Sequence, residues 1–314
     1  MKCLVTGASG FIGSHLCERL IKQNYSVVGI DSFIDFYPRW IKEDNISALM
    51  KNSSFELIPN DINSIDLNQL LERVDCVFHL AAQAGVRKSW GENFSVYTKN
   101  NIEATQRLLE AARKNKIGMF IYASSSSVYG LTPDLPMKET SPLLPFSPYG
   151  VTKLAAENLS FLYFKNFGIP TICLRFFTVY GPRQRPDMAF HKFFDAIKKN
   201  KQIVVYGDGK QTRDFTYVGD VVEVTFQALE KGKPGEIYNI GGGSQTELNA
   251  VFPLFEKICK KKFKIKKTKT QEGDVAHTFA LIDKAKENLN YSPKTQIEDG
   301  LQEEWRWLLR LFSP

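Results

Sequence analysis

A glycine-rich turn near the N-terminus constrains the fold of this 314-residue chain more than any other sequence feature. Gly7, Gly10 and Gly13 follow the apolar run 2–6 directly and open the amphipathic run 11–23. Glycines at this spacing permit a tight turn from a strand into a helix and close packing of that helix on a sheet. The N-terminus therefore predicts the first strand and helix of an α/β fold.

Strand and helix signals alternate through the first half of the chain. Short apolar runs predict strands, and amphipathic runs predict helices. The predicted strands cover 2–6, 26–30, 55–58, 76–80, 119–123 and 171–176, and the predicted helices cover 11–23, 67–73, 101–115 and 148–167. Repeated strand–helix–strand units predict a doubly wound parallel (Rossmann) sheet, whose ligands lie beyond the carboxyl ends of the strands.

The composition changes after Gly181-Pro182, where arginine- and proline-rich loops replace the alternation. Residues 236–242 predict a strand that returns to the sheet. We therefore expect a Rossmann domain over 1–180, with a returning segment near 214–245. Residues 181–213 and 246–314 are expected to form a smaller, discontinuous α/β lobe for the substrate.

The cysteines and the apolar segments indicate a cytoplasmic protein with no metal site and no membrane partner. No apolar run is long enough for a signal peptide or a membrane span. The cysteines are odd in number and lie mostly inside apolar segments, which fits reduced core thiols better than disulfides or metal ligands. They are Cys3, Cys17, Cys76, Cys173 and Cys259.

The formal net charge of +7 comes partly from a lysine-rich stretch over 257–269. One interpretation is a nucleic-acid patch. The other is a helix end and a following strand, with lysines outward and Phe263 and Ile265 inward. No aromatic stacking platform or nucleic-acid motif accompanies the lysines, so we expect no nucleic-acid partner. A positive field would still help to capture an anionic substrate.

The first turn also predicts a dinucleotide site, because a helix N-terminus binds a pyrophosphate. Asp31, at the end of the second predicted strand, can accept hydrogen bonds from the adenosine ribose and repel a 2′-phosphate, which favours NAD over NADP. Plain turn glycines and a solvated or capping acid are the alternatives. The residues predicted to bind the cofactor are Gly7, Gly10, Phe11, Ile12, Gly13, Asp31, Asp61, Ile62, Leu80, Ala81, Ala82, Gln83, Tyr149 and Lys153.

Three residues predict the reaction centre. Tyr149 and Lys153 lie four apart on the predicted helix 148–167 and share one face, and Ser125 precedes them in a serine run. An ammonium beside a phenol lowers the phenol pKa, and the serine can share the proton of a substrate hydroxyl. This combination indicates hydride-transfer chemistry beside a nicotinamide. His79, within an apolar segment, is interpreted as a core histidine.

Nearly the whole chain resembles the extended short-chain dehydrogenase/reductase family of NAD-dependent nucleotide-sugar epimerases and dehydratases. The resemblance is carried by Val5 to Leu16, His79 to Ala82, Ser147 to Lys153, Thr212 to Val218, Tyr291 to Pro293 and Asp299 to Leu301. It implies tightly bound NAD and oxidation of a sugar hydroxyl, usually at C4, to a transient ketone. It also implies a homodimer, paired through the helices predicted over 101–115 and 148–167.

Within that family, residues 83–87 and 176–189 are most similar to UDP-glucuronate 4-epimerases. Related dehydratases carry an Asp-Glu pair where Ser126 and Ser127 stand, and UDP-glucuronate decarboxylases carry a Glu at the second position. The resemblance therefore implies epimerisation of UDP-glucuronate to UDP-galacturonate. Ser126, Ser127 and Thr178 could hold the C6 carboxylate and suppress loss of carbon dioxide, although each hydroxyl could instead bond the backbone.

The resemblance also implies a diphosphate grip at Arg213, with Arg185 and Lys192 as partners, and a contact of Asp274 with the uridine ribose. Some UDP-galactose epimerases have an arginine where Gln271 stands, which leaves more of the grip to Arg185. Arg87 is interpreted mainly as a surface residue. The alternatives are a 4-epimerase of UDP-glucose, UDP-galactose or an N-acetylated sugar, a UDP-glucuronate decarboxylase, and a non-catalytic NAD-binding protein.

Overall fold

A computed structural model describes residues 1–312, so Ser313 and Pro314, at the end of the predicted range 246–314, lie outside the described residues. The strands are β1 (Lys2–Thr6), β2 (Ser26–Ile30), β3 (Phe55–Ile58), β4 (Cys76–His79), β5 (Met119–Ser125), β6 (Thr171–Phe176), β7 (Thr178–Tyr180), β8 (Ile203–Tyr206), β9 (Thr212–Arg213), β10 (Phe215–Tyr217), β11 (Ile237–Ile240), β12 (Thr246–Glu247) and β13 (Ile265–Thr268). The helices are α1 (Phe11–Lys22), α2 (Arg39–Ile46), α3 (Leu67–Leu71), α4 (Phe94–Tyr97), α5 (Ala104–Asn115), α6 (Pro148–Phe167), α7 (Ala189–Lys198), α8 (Val218–Lys231), α9 (Leu248–Cys259), α10 (Asp283–Leu289) and α11 (Ile297–Leu311).

The central sheet has seven parallel strands in the order β11-β6-β5-β4-β1-β2-β3. This order confirms the predicted doubly wound parallel sheet, because β1 lies between β2 and β4 and the winding direction reverses there. The predicted returning strand is β11, which pairs with β6. The reversal point brings the ends of β1 and β4 together, so their loops can share one ligand.

Helices cover both faces of the central sheet. Helices α1 and α8 pack together on one face, where their apolar side chains join those of β1 and β6 in one core. Helices α3, α5 and α6 supply apolar side chains to a second core on the other face. Burial on both faces explains why the strands are continuous apolar runs rather than alternating ones.

A third core lies in the C-terminal part of the chain, where α7, α9 and α11 pack around aromatic side chains such as Phe194 and Phe255. Short two-stranded sheets, β7 with β10, β8 with β13 and β9 with β12, flank these helices. The lysine-rich stretch forms the end of α9 and the strand β13, with Phe263 packed against the third core. The expectation for Ile265 was wrong: this side chain is exposed, because β13 pairs only with β8 at the edge.

Several element boundaries differ from the sequence prediction. The helix expected over 101–115 begins as α4, continues as a π-helical turn over Thr98–Glu103 and ends as α5. The helix expected over 67–73 ends at Leu71, and the strand expected over 76–80 ends at His79. Helix α2 was not predicted, because its exposed face is polar and charged and no capping side chain marks its start.

Candidate active site

A cavity of about 440 Å³ lies along the carboxyl ends of the central strands. It is lined by loops that follow β1, β2, β4, β5 and β6, as expected for a doubly wound sheet. Most of the predicted site residues line it together: Gly7, Gly10, Phe11, Ile12, Gly13, Asp31, Asp61, Ile62, Leu80, Ala81, Ala82, Gln83, Ser125, Ser126, Ser127, Tyr149, Lys153, Thr178 and Arg185. Lys192, Arg213 and Asp274 are not among its lining residues.

The glycines of the first turn bring backbone against backbone. A Cβ atom on Gly13 would lie 2.1 Å from the carbonyl oxygen of Gly7, and one on Gly7, whose φ is +71°, would lie 3.0 Å from Ala81. Gly10 caps α1 without a side-chain hydrogen bond, and the first helical turn carries no acidic residue. The first N–H groups of α1 are therefore free to bind an anion at the cavity wall, so the turn fits a pyrophosphate.

Asp31 is buried at the end of β2, beside the first turn. Its carboxylate accepts hydrogen bonds from the backbone N–H of Ser9 at 3.1 Å and of Phe33 at 2.9 Å. Lys42 on α2 places Nζ 3.4 Å from Oδ1 of Asp31 and also lines the cavity. Sequence reasoning missed Lys42 because helix α2 itself was not predicted.

The loop after β4 is tied to the helix that carries Tyr149 and Lys153. Asn101, in the π-helical turn, accepts from the backbone N–H of Gln83 at 2.7 Å and donates to Oγ1 of Thr152 at 2.9 Å. This amide therefore fixes one wall of the cavity relative to α6. Sequence reasoning also missed Asn101, although a polar residue inside the amphipathic run was a signal for it.

His79 is a satisfied core histidine, as interpreted from the sequence. Its Nδ1 lies 2.7 Å from Oγ1 of Thr6 and its Nε2 lies 2.9 Å from Oγ1 of Thr105. Burial lowers the His79 pKa to about 3. The ring is therefore neutral at physiological pH and links β1, β4 and α5.

Tyr149 and Ser125 meet in the cavity wall. The pKa of Tyr149 is raised by burial, whereas its hydrogen bond with Ser125 and the positive charge of Arg185 act to lower it. Oγ of Ser125 also accepts from the backbone N–H of Ser127 at 3.1 Å. A substrate hydroxyl placed here would meet both a phenol and a hydroxyl, which is the arrangement for proton abstraction.

Lys153 is buried one turn along α6. Burial lowers its pKa to about 7, and the carboxylate of Glu157 acts in the opposite direction. Its Nζ lies 4.4 Å from the centroid of the Tyr122 ring. The expectation that Lys153 lowers the Tyr149 pKa stays a prediction, and Ser125 and Arg185 are groups that act in that direction in this structure.

The end of the cavity beyond Tyr149 carries hydroxyls and one guanidinium. Ser126 and Ser127 follow β5, and Thr178 begins β7. Arg185 donates from Nε and Nη2 to the carboxylate of Asp187 at 2.9 and 3.0 Å. The acidic residues that line the cavity, Asp31 and Asp61, follow β2 and β3 at the other end.

The three predicted substrate residues outside the cavity lining each interact with Arg87. Asp274 accepts two hydrogen bonds from Arg87, at 2.7 and 3.2 Å. Burial lowers the pKa of Arg213, and Asp274 raises it while Arg87 lowers it further. Burial also lowers the pKa of Lys192, which Asp187 raises and Arg87 lowers. Arg87, interpreted from the sequence as mainly a surface residue, is exposed, and it is also the ion-pair partner of Asp274.

Over residues 1–312, no group of three or more His, Cys, Asp or Glu side chains is arranged to hold a metal ion. Within the same residues, no helix combines the length and apolar composition needed to cross a bilayer. The cysteines are buried free thiols.

Comparison with known proteins decides the family. Residues 3–241 match the family model described as the NAD dependent epimerase/dehydratase family. The chain belongs to this family. The expected family resemblance is thereby confirmed.

Members of the family with high similarity include two curated proteins. One is "Uncharacterized UDP-glucose epimerase YtcB" of Bacillus subtilis, 48% identical over 317 residues, which cover 100% of this chain and 99% of the relative. Another is the UDP-glucuronate 4-epimerase of Thermodesulfobacterium geofontis, 39% identical over 310 residues, which cover 97% of this chain and 95% of the relative.

A solved structure shares the fold throughout. It is the UDP-glucuronic acid 4-epimerase of Bacillus cereus in complex with UDP-glucuronic acid and NAD. The TM-score is 0.97 at 48% identity, with 99% of this chain and 100% of the other covered.

Proposed function

We propose that this chain is a UDP-glucuronate 4-epimerase, a cytoplasmic enzyme that interconverts UDP-glucuronate and UDP-galacturonate with tightly bound NAD. The observation that carries the proposal is the sugar end of the cavity. There, Ser126, Ser127, Thr178 and Arg185 line the cavity together with Tyr149, whereas the acidic lining residues, Asp31 and Asp61, follow β2 and β3. Arg185 is paired with Asp187, which does not line the cavity. Hydroxyls and a guanidinium suit a substrate carboxylate, and the similar epimerases point to the same reaction.

The first turn of α1 would hold the pyrophosphate of NAD, and Asp31 and Lys42 would bind its adenosine ribose. Bound NAD would supply the hydride acceptor and donor at C4 of the sugar. The loop after β4, together with Asp61 and Ile62, would complete the wall of the NAD site. The pairing of Asp31 with Lys42 keeps this buried end electrically balanced before the cofactor binds.

Tyr149 would take the proton of the C4 hydroxyl as general base, and Ser125 would share that hydrogen bond. Because burial raises the Tyr149 pKa, Tyr149 needs positive charge beside it to ionise. Arg185 provides part of that charge, and Lys153 would add to it while holding the nicotinamide ribose. The same phenol would return the proton once the sugar has turned and C4 has been reduced from the opposite side.

The 4-keto intermediate of this reaction is a β-keto acid, which loses carbon dioxide when its carboxylate turns perpendicular to the carbonyl. Ser126, Ser127 and Thr178 would hold the carboxylate away from that orientation without adding an acid or base. A Thr178→Ala variant is expected to release more UDP-pentose than the unaltered enzyme. An unchanged product ratio would count against this role.

The nucleotide would extend toward Asp274. Arg87 and Arg213 lie close to this acid, and Arg87 also acts on Lys192, so the positive charge of this region suits a diphosphate. Asp274 would exchange part of its ion pair with Arg87 for the uridine ribose hydroxyls. Residues 1–180 with the segment near 214–245 would then serve the cofactor, and residues 181–213 with 246–314 would serve the nucleotide.

We also propose that the enzyme is a homodimer paired through α5 and α6. Helix α6 exposes a set of large apolar side chains, Val151, Phe161, Leu162 and Phe167, that a monomer would leave in water. A Leu162→Glu variant is expected to sediment as a monomer. An unaltered enzyme that already sediments as a monomer would rule out the dimer.

The remaining alternatives are a 4-epimerase of another UDP-sugar and a UDP-glucuronate decarboxylase. A panel of UDP-glucuronate, UDP-glucose and UDP-N-acetylglucosamine, followed by proton NMR, separates them. The proposal predicts conversion of UDP-glucuronate to UDP-galacturonate with little UDP-pentose. Faster turnover of a neutral sugar, or pentose as the main product, would support an alternative instead.

A further inference from the structure

The ammonium group of Lys153 lies against the face of an aromatic ring. Its Nζ is 4.4 Å from the centroid of Tyr122, and the two residues are 3% and 1% exposed. Tyr122 belongs to β5, the strand that ends at Ser125, and Lys153 belongs to α6. The contact therefore joins the two elements that bring Ser125 and Tyr149 together.

The hydroxyl of Tyr122 has no polar role within residues 1–312. It is buried without a hydrogen-bond partner, and burial holds its pKa well above the usual range of a phenol. Tyr122 is thus a neutral ring at every physiological pH. What it offers to Lys153 is its face, which carries the negative end of the ring quadrupole.

Other groups that face Lys153 give its charge little support. Glu157, one turn further along α6, raises the Lys153 pKa. However, this carboxylate is already bound by Arg175, with contacts of 2.6 and 3.0 Å, and by the hydroxyl of Ser124 at 2.6 Å. A buried ammonium without further support would lose its proton near neutral pH, since burial alone lowers the pKa strongly.

The remaining titratable groups near Lys153 are neutral in the resting protein. The thiol of Cys173 on β6 has a pKa raised by burial, and the ring of His79 on β4 has a pKa lowered to about 3. Tyr149, on the same helix, is a neutral phenol until it gives up its proton. None of these three contributes a formal negative charge in the resting protein.

We propose that Tyr122 is a positioning residue whose ring face keeps Lys153 charged and in place. Because Lys153 lines the cavity, the ring holds its Nζ as an ammonium in the cavity wall, where it can support ionisation of Tyr149 and bind a ribose. The catalytic consequence rests on the proposed function, but the charge state of Lys153 does not. The two claims can therefore fail separately.

The test measures the pKa of Lys153 directly. The full-length chain, with and without NAD, is labelled with acetic anhydride across a pH series, and acetylation of the peptide that contains Lys153 is followed by mass spectrometry. Tyr122→Leu removes the aromatic face, and Tyr122→Phe keeps it. Phe120→Leu is the matched control, because Phe120 is another aromatic residue of β5 in the same core, whereas the ring beneath the Lys153 ammonium is that of Tyr122.

We expect Tyr122→Leu to lower the Lys153 pKa by about one unit, because a desolvated cation–π contact contributes about that much. Tyr122→Phe and Phe120→Leu are expected to leave it near the unaltered value. Loss of ring packing that merely admitted water would raise the pKa instead, since hydration favours the ammonium. An unchanged or raised pKa in Tyr122→Leu would overturn the proposal.

Tyr122→Met provides a second variant, with more volume, should Tyr122→Leu fail to fold. Activity gives an independent readout. In Tyr122→Leu and Tyr122→Met, the alkaline limb of the profile of activity against pH is expected to move to lower pH. In Tyr122→Phe it is expected to stay in place. A lowered Lys153 pKa in a chain that turns over no UDP-sugar would preserve this inference and contradict the proposed function. Turnover of a UDP-sugar with an unmoved alkaline limb would preserve the proposed function and contradict this inference.

Discussion

Arg87 holds Asp274 through two hydrogen bonds, of 2.7 and 3.2 Å, across 187 positions of sequence. The same guanidinium lies 4.1 Å from the ring centroid of Tyr206. Arg87 belongs to the loop after β4, whereas Asp274 and Tyr206 belong to the C-terminal elements. This contact therefore joins the cofactor side of the molecule to the region that would bind the nucleotide.

An Arg87→Ala variant is expected to bind UDP about tenfold more weakly, because it removes one of the cations grouped around Asp274. Stability should change little, since the two side chains are 41% and 25% exposed. Calorimetric titration with UDP at two salt concentrations measures the effect. Arg73→Ala, which breaks the exposed pair with Glu56, is the control. Equal UDP affinity in all three proteins would contradict this role for Arg87.

Asp31 and Lys42 predict a change in cofactor preference. Asp31→Ser removes the charge that repels a 2′-phosphate and leaves Lys42 without its anionic partner. We expect NAD affinity to fall at least about tenfold and the affinity for NADP relative to NAD to rise. Fluorescence titration with NADH and NADPH measures both. Adding Lys42→Met to Asp31→Ser should abolish the gain for NADP, and a gain that persists would show that Lys42 is not its cause.

The buried pair of Arg175 and Glu157 predicts a large effect on stability. Its side chains are 1% and 2% exposed, so Arg175→Met would leave a carboxylate buried without its cation. We expect the free energy of unfolding to fall by about 3 kcal/mol or more, measured by urea denaturation. Arg73→Met, at the exposed pair with Glu56, should cost less than about 1 kcal/mol. A similar fall in the free energy of unfolding in Arg175→Met and Arg73→Met would contradict this prediction.

Two histidines predict how stability depends on pH. Burial lowers the pKa of His15 to about 4 and that of His79 to about 3, from an ordinary value of 6.5. Below pH 6.5 the unfolded chain therefore binds protons that the folded chain does not, so this contribution to stability is complete above 6.5 and is lost as pH falls toward 3. Urea midpoints measured in this window should fall with pH. A His79→Asn variant should show a shallower fall, and an equally steep one would exclude His79 as a source.

Much of the fold could be predicted because the strands are buried on both faces. Runs such as Thr171–Phe176 and Ile237–Ile240 are apolar for that reason, and β11 was placed in the sheet although it follows β6 by about sixty residues. The glycines of the first turn were also predictable, because no side chain fits at Gly13. Elements at the edges were harder to predict from the sequence. Helix α2 is mostly polar, so no apolar pattern marks it, and Ile265 is exposed because its strand has only one neighbouring strand.

The site was predictable in its residue types but not in its pairings. Gly7, Asp31, Ser125 and Tyr149 lie at strand ends or a helix start, where sequence order alone brings them to one edge. The partners Lys42 of Asp31 and Arg87 of Asp274 depend on how α2 and the C-terminal elements pack. Likewise, the position of Lys153 over Tyr122 depends on the packing of α6 against β5, which no local pattern records.

The central claim is that Tyr149 removes and returns the proton of a sugar hydroxyl while the sugar turns over in the cavity. Proton NMR of the full-length enzyme with UDP-glucuronate, compared with a Tyr149→Phe variant that retains NAD, tests it most directly. The account predicts UDP-galacturonate from the unaltered enzyme and a rate at least about a hundredfold lower from the variant. Equal rates of UDP-galacturonate formation by the two proteins would contradict it. So would the absence of UDP-galacturonate from reactions of the unaltered enzyme, even at high enzyme concentration.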